Sequence, residues 1–295
     1  KLIESFQMKI EDGKKYNKIQ NEKEKLWQAC SDGKVEEVQK LLQNEQIDTN
    51  WQSQNDYLRT PFYVACENGH IDIVKILLND KRIDFNKTTN GDCTPFYIAC
   101  EKGHVEIVKL LLNDERVDIN KADDNGYTPF NRACYGRIEL IKLLINGNRV
   151  DINKADKHDR TPFYIACLSG RIELVELLLN DKRVDINKAN SYSWTPFYIA
   201  CQNGKTEVVK YLLESEREID INQKDKKGKT GLDIARQEGN TDIVKLIESF
   251  QMKIEDEKKK LEEEKRKKEE SKSIFIFLFF FKNKPIFFFK PLFIV

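Results

Sequence analysis

Seven cysteines, three histidines and two short strings are the residues of this chain that could do chemistry. Thiols beside imidazoles can form a nucleophile or a metal site, and CxxC pairs can hold zinc or cycle between redox states. The cysteines are Cys30, Cys66, Cys93, Cys100, Cys134, Cys167 and Cys201, and none forms a CxxC. All but Cys93 recur at a spacing of about 34 residues, which is neither a disulfide framework nor a zinc set. They read as small apolar residues at one recurring core position. Cys93 falls on an expected loop tip and reads as an ordinary exposed thiol, with a reactive thiol as the alternative.

His70 and His104 each follow a glycine and read as turn and packing residues, while His158 stands alone on a loop. "GKT" at 228–230 looks like the end of a phosphate-binding loop, yet that motif needs a glycine where Gln223 stands. "NKT" at 86–88 is a formal glycosylation sequon, but Asn86 shares its register with Asn120, Asn153 and Asn187 and reads as structural. No serine, cysteine or histidine arrangement suits nucleophilic catalysis. The expectation is a non-enzyme with no cofactor and no metal.

The elements that would position these residues come from a repeat. "TPFYVAC" starts at Thr60, "TPFYIAC" at Thr94, "TPFNRAC" at Thr128, and "TPFYIAC" again at Thr161 and Thr195. "TGLDIAR" at Thr230 continues the series, and "KLWQAC" at 25–30 leads it. Thr94 suits a helix N-cap and Pro95 the first helical position. "FYIACEK" then forms a short helix, Gly103 a tight turn, and "VEIVKLLLN" a second helix. Its apolar stripe at Val105, Ile107, Val108, Leu110, Leu111 and Leu112 is too wide to stand alone. "ERVDINKADDNG" runs out as an extended, turn-rich loop. No unit can bury its apolar face by itself, so the units must stack.

"TPFYIACEKGHVEIVKLLLNDERVDIN" resembles the ankyrin-repeat family. The resemblance implies an all-α helical repeat solenoid of helix-turn-helix units with projecting hairpin loops. It covers residues 25–250, in units of 25–57, 58–91, 92–125, 126–158, 159–192, 193–227 and 228–250. Tyr63, Tyr97, Tyr164 and Tyr198 stand where the family carries histidine, so the hydrogen bonds of that imidazole must be made differently or be absent. The family's Gly-Ala-Asp turn becomes the longer "KRVD" or "ERVD". Unit 126–158 lacks a residue before Gly136, and the loop at 51–59 is two residues longer than its counterparts. The second helices at 34–43 and 240–250 are more polar than the internal ones, as end caps require.

What varies between units is the residue before each Thr and the pair after Ala-Cys. In the proteins this chain resembles, such positions line the concave face and the loop tips that meet a partner. Candidate partner-binding residues are therefore Arg59, Glu67, Asn68, Cys93, Glu101, Lys102, Tyr127, Tyr135, Arg160, Leu168, Ser169, Tyr192, Trp194, Gln202 and Asn203. The aromatics concentrate within 127–203, where binding is expected to centre. Neutral drift on a solvated face is the alternative. The resemblance implies a non-catalytic scaffold for another protein. The alternatives are a membrane-tethered adaptor or the targeting portion of a larger enzyme or regulator.

Lys+Arg 50 against Asp+Glu 49 offers no electrostatic case for nucleic acid. Free cysteines and a lysine-rich start without an apolar run place the expectation in the cytoplasm, with membrane association as the alternative. Residues 251–273 read as a charged helical extension with a thin heptad-like seam at Ile247, Phe250, Ile254 and Leu261. The tail at 274–295 is rich in phenylalanine. A membrane anchor there would place Lys282, Lys284 and Lys290 in lipid at about 2.5–3.5 kcal/mol each near the bilayer centre, against about 0.3–0.6 returned per Phe. The other readings of this tail are a segment docked on the array or a partner, and read-through of AT-rich non-coding sequence. "KLIESFQMKIED" occurs at 1–12 and again at 245–256. That makes residues 1–24 the expected helix remnant and charged linker of a preceding array in a longer chain.

Overall fold

The Thr-Pro pairs start helices wherever they occur. A computed structural model of the chain describes residues 21–136 and 138–282, with side chains up to 277. Thr60, Thr94, Thr128, Thr161 and Thr195 each accept a hydrogen bond at 3.0–3.1 Å from the backbone N–H three residues on, with Pro opening the helix. Such a cap is worth about 1 kcal/mol. Thr230 does the same for the "GKT" string, so that string is a turn and a cap.

The helices are α1 (21–32), α2 (Val35–Leu42), α3 (Pro61–Glu67), α4 (Ile71–Leu78), α5 (Pro95–Lys102), α6 (Val105–Leu112) and α7 (Pro129–Ala133). They continue as α8 (Ile138–Asn146), α9 (Pro162–Ser169), α10 (Ile172–Leu179), α11 (Pro196–Gln202), α12 (Thr206–Glu214), α13 (Gly231–Gln237) and α14 (Thr241–Lys282). Among the described residues none is in a strand. First helices pack in one row from α3 to α13, and second helices in another from α2 to α14. The residue missing before Gly136 shortens α7 to five residues.

The core lies between the rows. Phe62, Phe96, Phe130, Phe163 and Phe197 supply one buried ring per unit, and the Ala-Cys pairs beside them are equally closed to solvent. Burial pushes the Cys134 thiol up to about 12 and raises the other five of the series as well. Thiols in that state are inert packing groups. At the leading end α2 buries Val38 alone, whereas α6 buries Ile107, Val108, Leu111 and Leu112.

The outer edge explains the "KRVD" turn. A helix leaves its last carbonyls without partners. Arg82 donates to Leu42 and Asn44 carbonyls of the unit before it, Arg116 to Leu78, and Arg183 to Ile145. Arg149 reaches Leu112, Asp114 and Val117, and Arg217 reaches Leu179, Asp181 and Val184. Asn50, Asn86, Asn120, Asn153 and Asn187 clamp each unit to the next through one carbonyl and one N–H. The sequon asparagine thus has a structural task. So has His104: its Nε2–H donates to the Glu67 carbonyl at 2.8 Å, and a Cβ on Gly69 (φ +78°) would lie 2.7 Å from that ring.

The array and the charged extension share one helix. α14 runs unbroken for 42 residues, and Ile247 is buried while Leu261 is 53% exposed. Along the extension Glu263 and Lys267 pair at 2.9 Å, and Arg266 pairs with Glu270 at 3.6 Å. Among the described residues no helix is long and apolar enough to cross a membrane. The first copy of the duplicated string and the tail beyond 282 lie outside the described residues.

Candidate partner-binding face

Each inter-unit loop is a short hairpin, or finger, built on one polar residue. Asp123 donates its N–H to the Tyr127 carbonyl at 2.9 Å, while its Oδ1 accepts from the N–H groups of Asn125 and Tyr127. Asp156, Asn190 and Asp225 repeat this pattern, and the Thr89 hydroxyl makes half of it, accepting from the Cys93 N–H. A Cβ on Gly126 (φ +83°) would meet Lys157 N at 2.7 Å, so that tip requires glycine.

The tyrosines that stand in place of histidine hold these same residues. Tyr97 Oη donates to Asp123 Oδ2 at 2.7 Å and Tyr198 Oη to Asp225 Oδ2 at 2.9 Å. Asn190 Nδ2 donates to Tyr164 Oη at 3.2 Å. Burial disfavours ionising Asp225, but N–H donors from Lys229 and Lys227 and the Tyr198 hydroxyl outweigh it and hold its pKa below the usual carboxylate value. The helix row and the fingers are therefore locked together from below.

Successive fingers join in a ladder of single backbone bonds. Asn90 N–H donates to Tyr57 O, Asp124 to Gly91, Lys157 to Asn125, and Ser191 to His158, all at 3.1–3.2 Å. The tips are therefore 54–58 in the first finger and 90–92, 124–126, 157–159, 191–193 and 226–228 in the five that follow. The residue before each Thr closes the base of its finger, so of the candidates Tyr192 alone sits at a tip.

The ladder brings several candidates together. Arg59 pairs with Glu67 at 3.3 Å and lies over the Tyr57 and Tyr63 rings. Tyr127 sits between two guanidinium groups: Arg132 stands 4.9 Å over its ring, and Arg160 donates to its hydroxyl. Arg132 also reaches Glu101 at 3.6 Å and Asp123 at 3.7 Å, and Arg160 is fixed by Asp156 at 2.7 Å. Tyr135 is about half-exposed beside them, and the covering of the other half, then Tyr127, raises its phenol pKa. Tyr192, Trp194 and Tyr198 stack with centroids 5.1 and 5.7 Å apart, and Gln202 lines the same open recess of about 460 Å³.

Other candidates are not part of that face. Asn68 donates to the Ser31 carbonyl, Ser169 to Ala166 and Asn203 to Ile199, so these side chains finish backbone. Leu168 packs on the core, and Lys102 is exposed in the last turn of α5. Cys93 is not an exposed tip thiol. It is half-buried at a finger base, where its Sγ–H faces the Gly91 carbonyl at 3.6 Å and burial pushes its pKa up to about 11.

Sequence reasoning passed over Arg132, although it is the one charge at a position held elsewhere by Val64, Ile98, Ile165 and Ile199. It also passed over Lys226 and Lys227, which border the aromatic recess. Among the described residues no cluster of histidine, cysteine and carboxylate side chains could hold a metal.

Stacked helix pairs with laddered fingers define a helical-repeat binding solenoid. The chain belongs to the ankyrin-repeat family: the model for ankyrin repeats in three copies matches residues 2–89, 82–156, 98–190 and 163–257. Members of this family are generally protein–protein interaction modules and typically not enzymes. A search of curated proteins gave no match. Among solved structures the chain is similar to EF0377, an ankyrin-repeat protein, at 29% identity and a TM-score of 0.58. That likeness covers 63% of this chain and 95% of the other.

Proposed function

We propose that this chain is a non-catalytic scaffold that binds another protein through its finger bases and inner helix ends, in a reducing, cytoplasmic setting. One observation carries the reading. The polar residues that recur at the caps, clamps and finger anchors are taken up by the frame, while the aromatic and arginine side chains that differ between units gather around Tyr127 and Trp194. Those residue types dominate binding energy at interfaces. The fingers are already hydrogen-bonded, so little ordering entropy is lost on association. The test is photo-cross-linking from position 135 in the full chain, with captured proteins identified by mass spectrometry. A specific partner lost in Tyr127→Ala supports the reading. Equal capture by the wild type and by a Tyr127→Ala, Arg160→Ala variant that melts normally rejects it.

A further inference from the structure

The finger ladder has a gap. From the first finger to the fifth, the N–H after each finger's anchoring residue donates to the carbonyl of the preceding tip. The next rung would run from Lys226 N–H to the Tyr192 carbonyl. It is not made, and neither group has another partner within the described protein. The register is not at fault, because the asparagine clamp from Asn187 to Glu218 and Asp220 is intact one turn below. Aromatic side chains fill this junction: Trp194 lies flat on Tyr198 with 9° between the rings, and Tyr192, 55% exposed, tilts onto Trp194. The open recess lies at this break.

The charges around the recess are one-sided. Lys226, Lys227 and Lys229 line it, and none of them forms an ion pair among the described residues, although the Lys229 ammonium donates to Gln237. The nearby carboxylates face inward or are already engaged. Asp225 is held by Tyr198 and two backbone N–H groups, Asp233 accepts from both N–H and hydroxyl of Thr230, and Glu238 accepts from Gln237. Unpaired lysines beside an apolar ring stack complement a segment with carboxylates flanking an apolar or aromatic residue. A donor and an acceptor left free on facing hairpins are what an added extended strand uses.

We propose that the break between the fifth and sixth fingers is a docking site for an extended acidic peptide of a partner protein. The peptide backbone takes up Lys226 N–H and the Tyr192 carbonyl, completing the missing rung. One apolar or aromatic side chain covers the exposed Tyr192–Trp194 edge, and flanking Asp or Glu residues meet Lys226, Lys227 and Lys229. This rests on the scaffold reading above and names the chemistry of the partner.

The test is selection of a random-peptide phage library on the full chain, followed by titration of the enriched peptides. The site predicts enriched sequences that are net acidic with a large apolar residue. Their affinity should fall about tenfold or more in a Lys226→Glu, Lys227→Glu variant and with rising salt. Amide exchange at Lys226 should slow when such a peptide is bound. The two lysines are exposed, so this variant should melt as the wild type does. Net basic winners, winners insensitive to the lysine variant, no protection at Lys226, or an empty selection each overturn the site. A partner captured by the cross-linking experiment whose footprint lies on Tyr127 and Arg160 leaves the scaffold reading intact while this site fails. Failure of both experiments removes the broader reading as well.

Discussion

Arginine serves both edges of this solenoid, in opposite ways. On the outer edge Arg82, Arg149, Arg183 and Arg217 donate to carbonyl oxygens of the unit before. On the inner face Arg59, Arg132 and Arg160 meet carboxylates, a phenol and ring faces that change from unit to unit. A carbonyl is present whatever side chain the partner residue carries. An outer arginine therefore grips the preceding unit whatever side chains that unit carries, although Arg82, Arg116 and Arg183 also pair with an aspartate of their own turn. Inner arginines depend on specific partners, so each is tied to one place. The frame is held by backbone, and this leaves the inner side chains free to differ.

This contrast can be broken from the outer side first. Arg149→Ala removes three charge-assisted bonds to carbonyls and should cost about 2 kcal/mol of stability by urea unfolding. Binding per folded molecule should be unchanged. Tyr198→Phe removes one buried hydrogen bond to Asp225 and should cost about 1 kcal/mol, read as a lower melting temperature. It tests the link between helix row and fingers. On the inner face Tyr127→Ala should weaken partner binding by about 1 kcal/mol or more while costing less stability than either change above. A larger loss of stability than of binding would erase the distinction between the edges.

The smallest effect is that of pH. Arg82, Arg116 and Arg183 hold the carboxyls of Asp80, Asp114 and Asp181 below their usual value. A carboxylate with a depressed folded-state pKa stabilises above its unfolded value and loses that contribution as pH falls through the folded one. The arginines of these pairs are partly open to solvent, so each pair is worth about a few tenths of a kcal/mol. Melting temperatures should be level across neutral pH and slip below about pH 4, and an Arg116→Gln variant should show a smaller slip.

Much of the frame was legible in the sequence because its causes are local. Thr-Pro caps act within three residues, glycine turns within one, and the helix stripes repeat inside each unit. The residue missing before Gly136 was visible in the sequence, and its effect on α7 is equally local. The outer arginines were read only as a changed turn, since their carbonyl partners lie more than 30 residues back in the preceding unit. The task of the tyrosine hydroxyls was hidden similarly, because Asp123 and Asp225 belong to the next finger. The candidate face was legible in part. Variable positions pointed to Tyr127, Arg160 and Trp194, but variation alone did not separate them from Asn68, Ser169 and Asn203, which finish helix ends. The missing rung at Lys226 is a backbone event with no letter of its own.

The continuity of α14 with the last unit has a mechanical consequence. No joint intervenes between the packed turns near Ile247 and the solvated turns beyond Leu261, so the far end is fixed in azimuth as well as in reach. At about 1.5 Å and 100° per residue, the stretch from 251 to 282 holds its far end roughly 50 Å away at a set angle. Deleting one residue there would swing that end by more than a quarter turn while shortening it hardly at all. Deleting seven would nearly restore the phase.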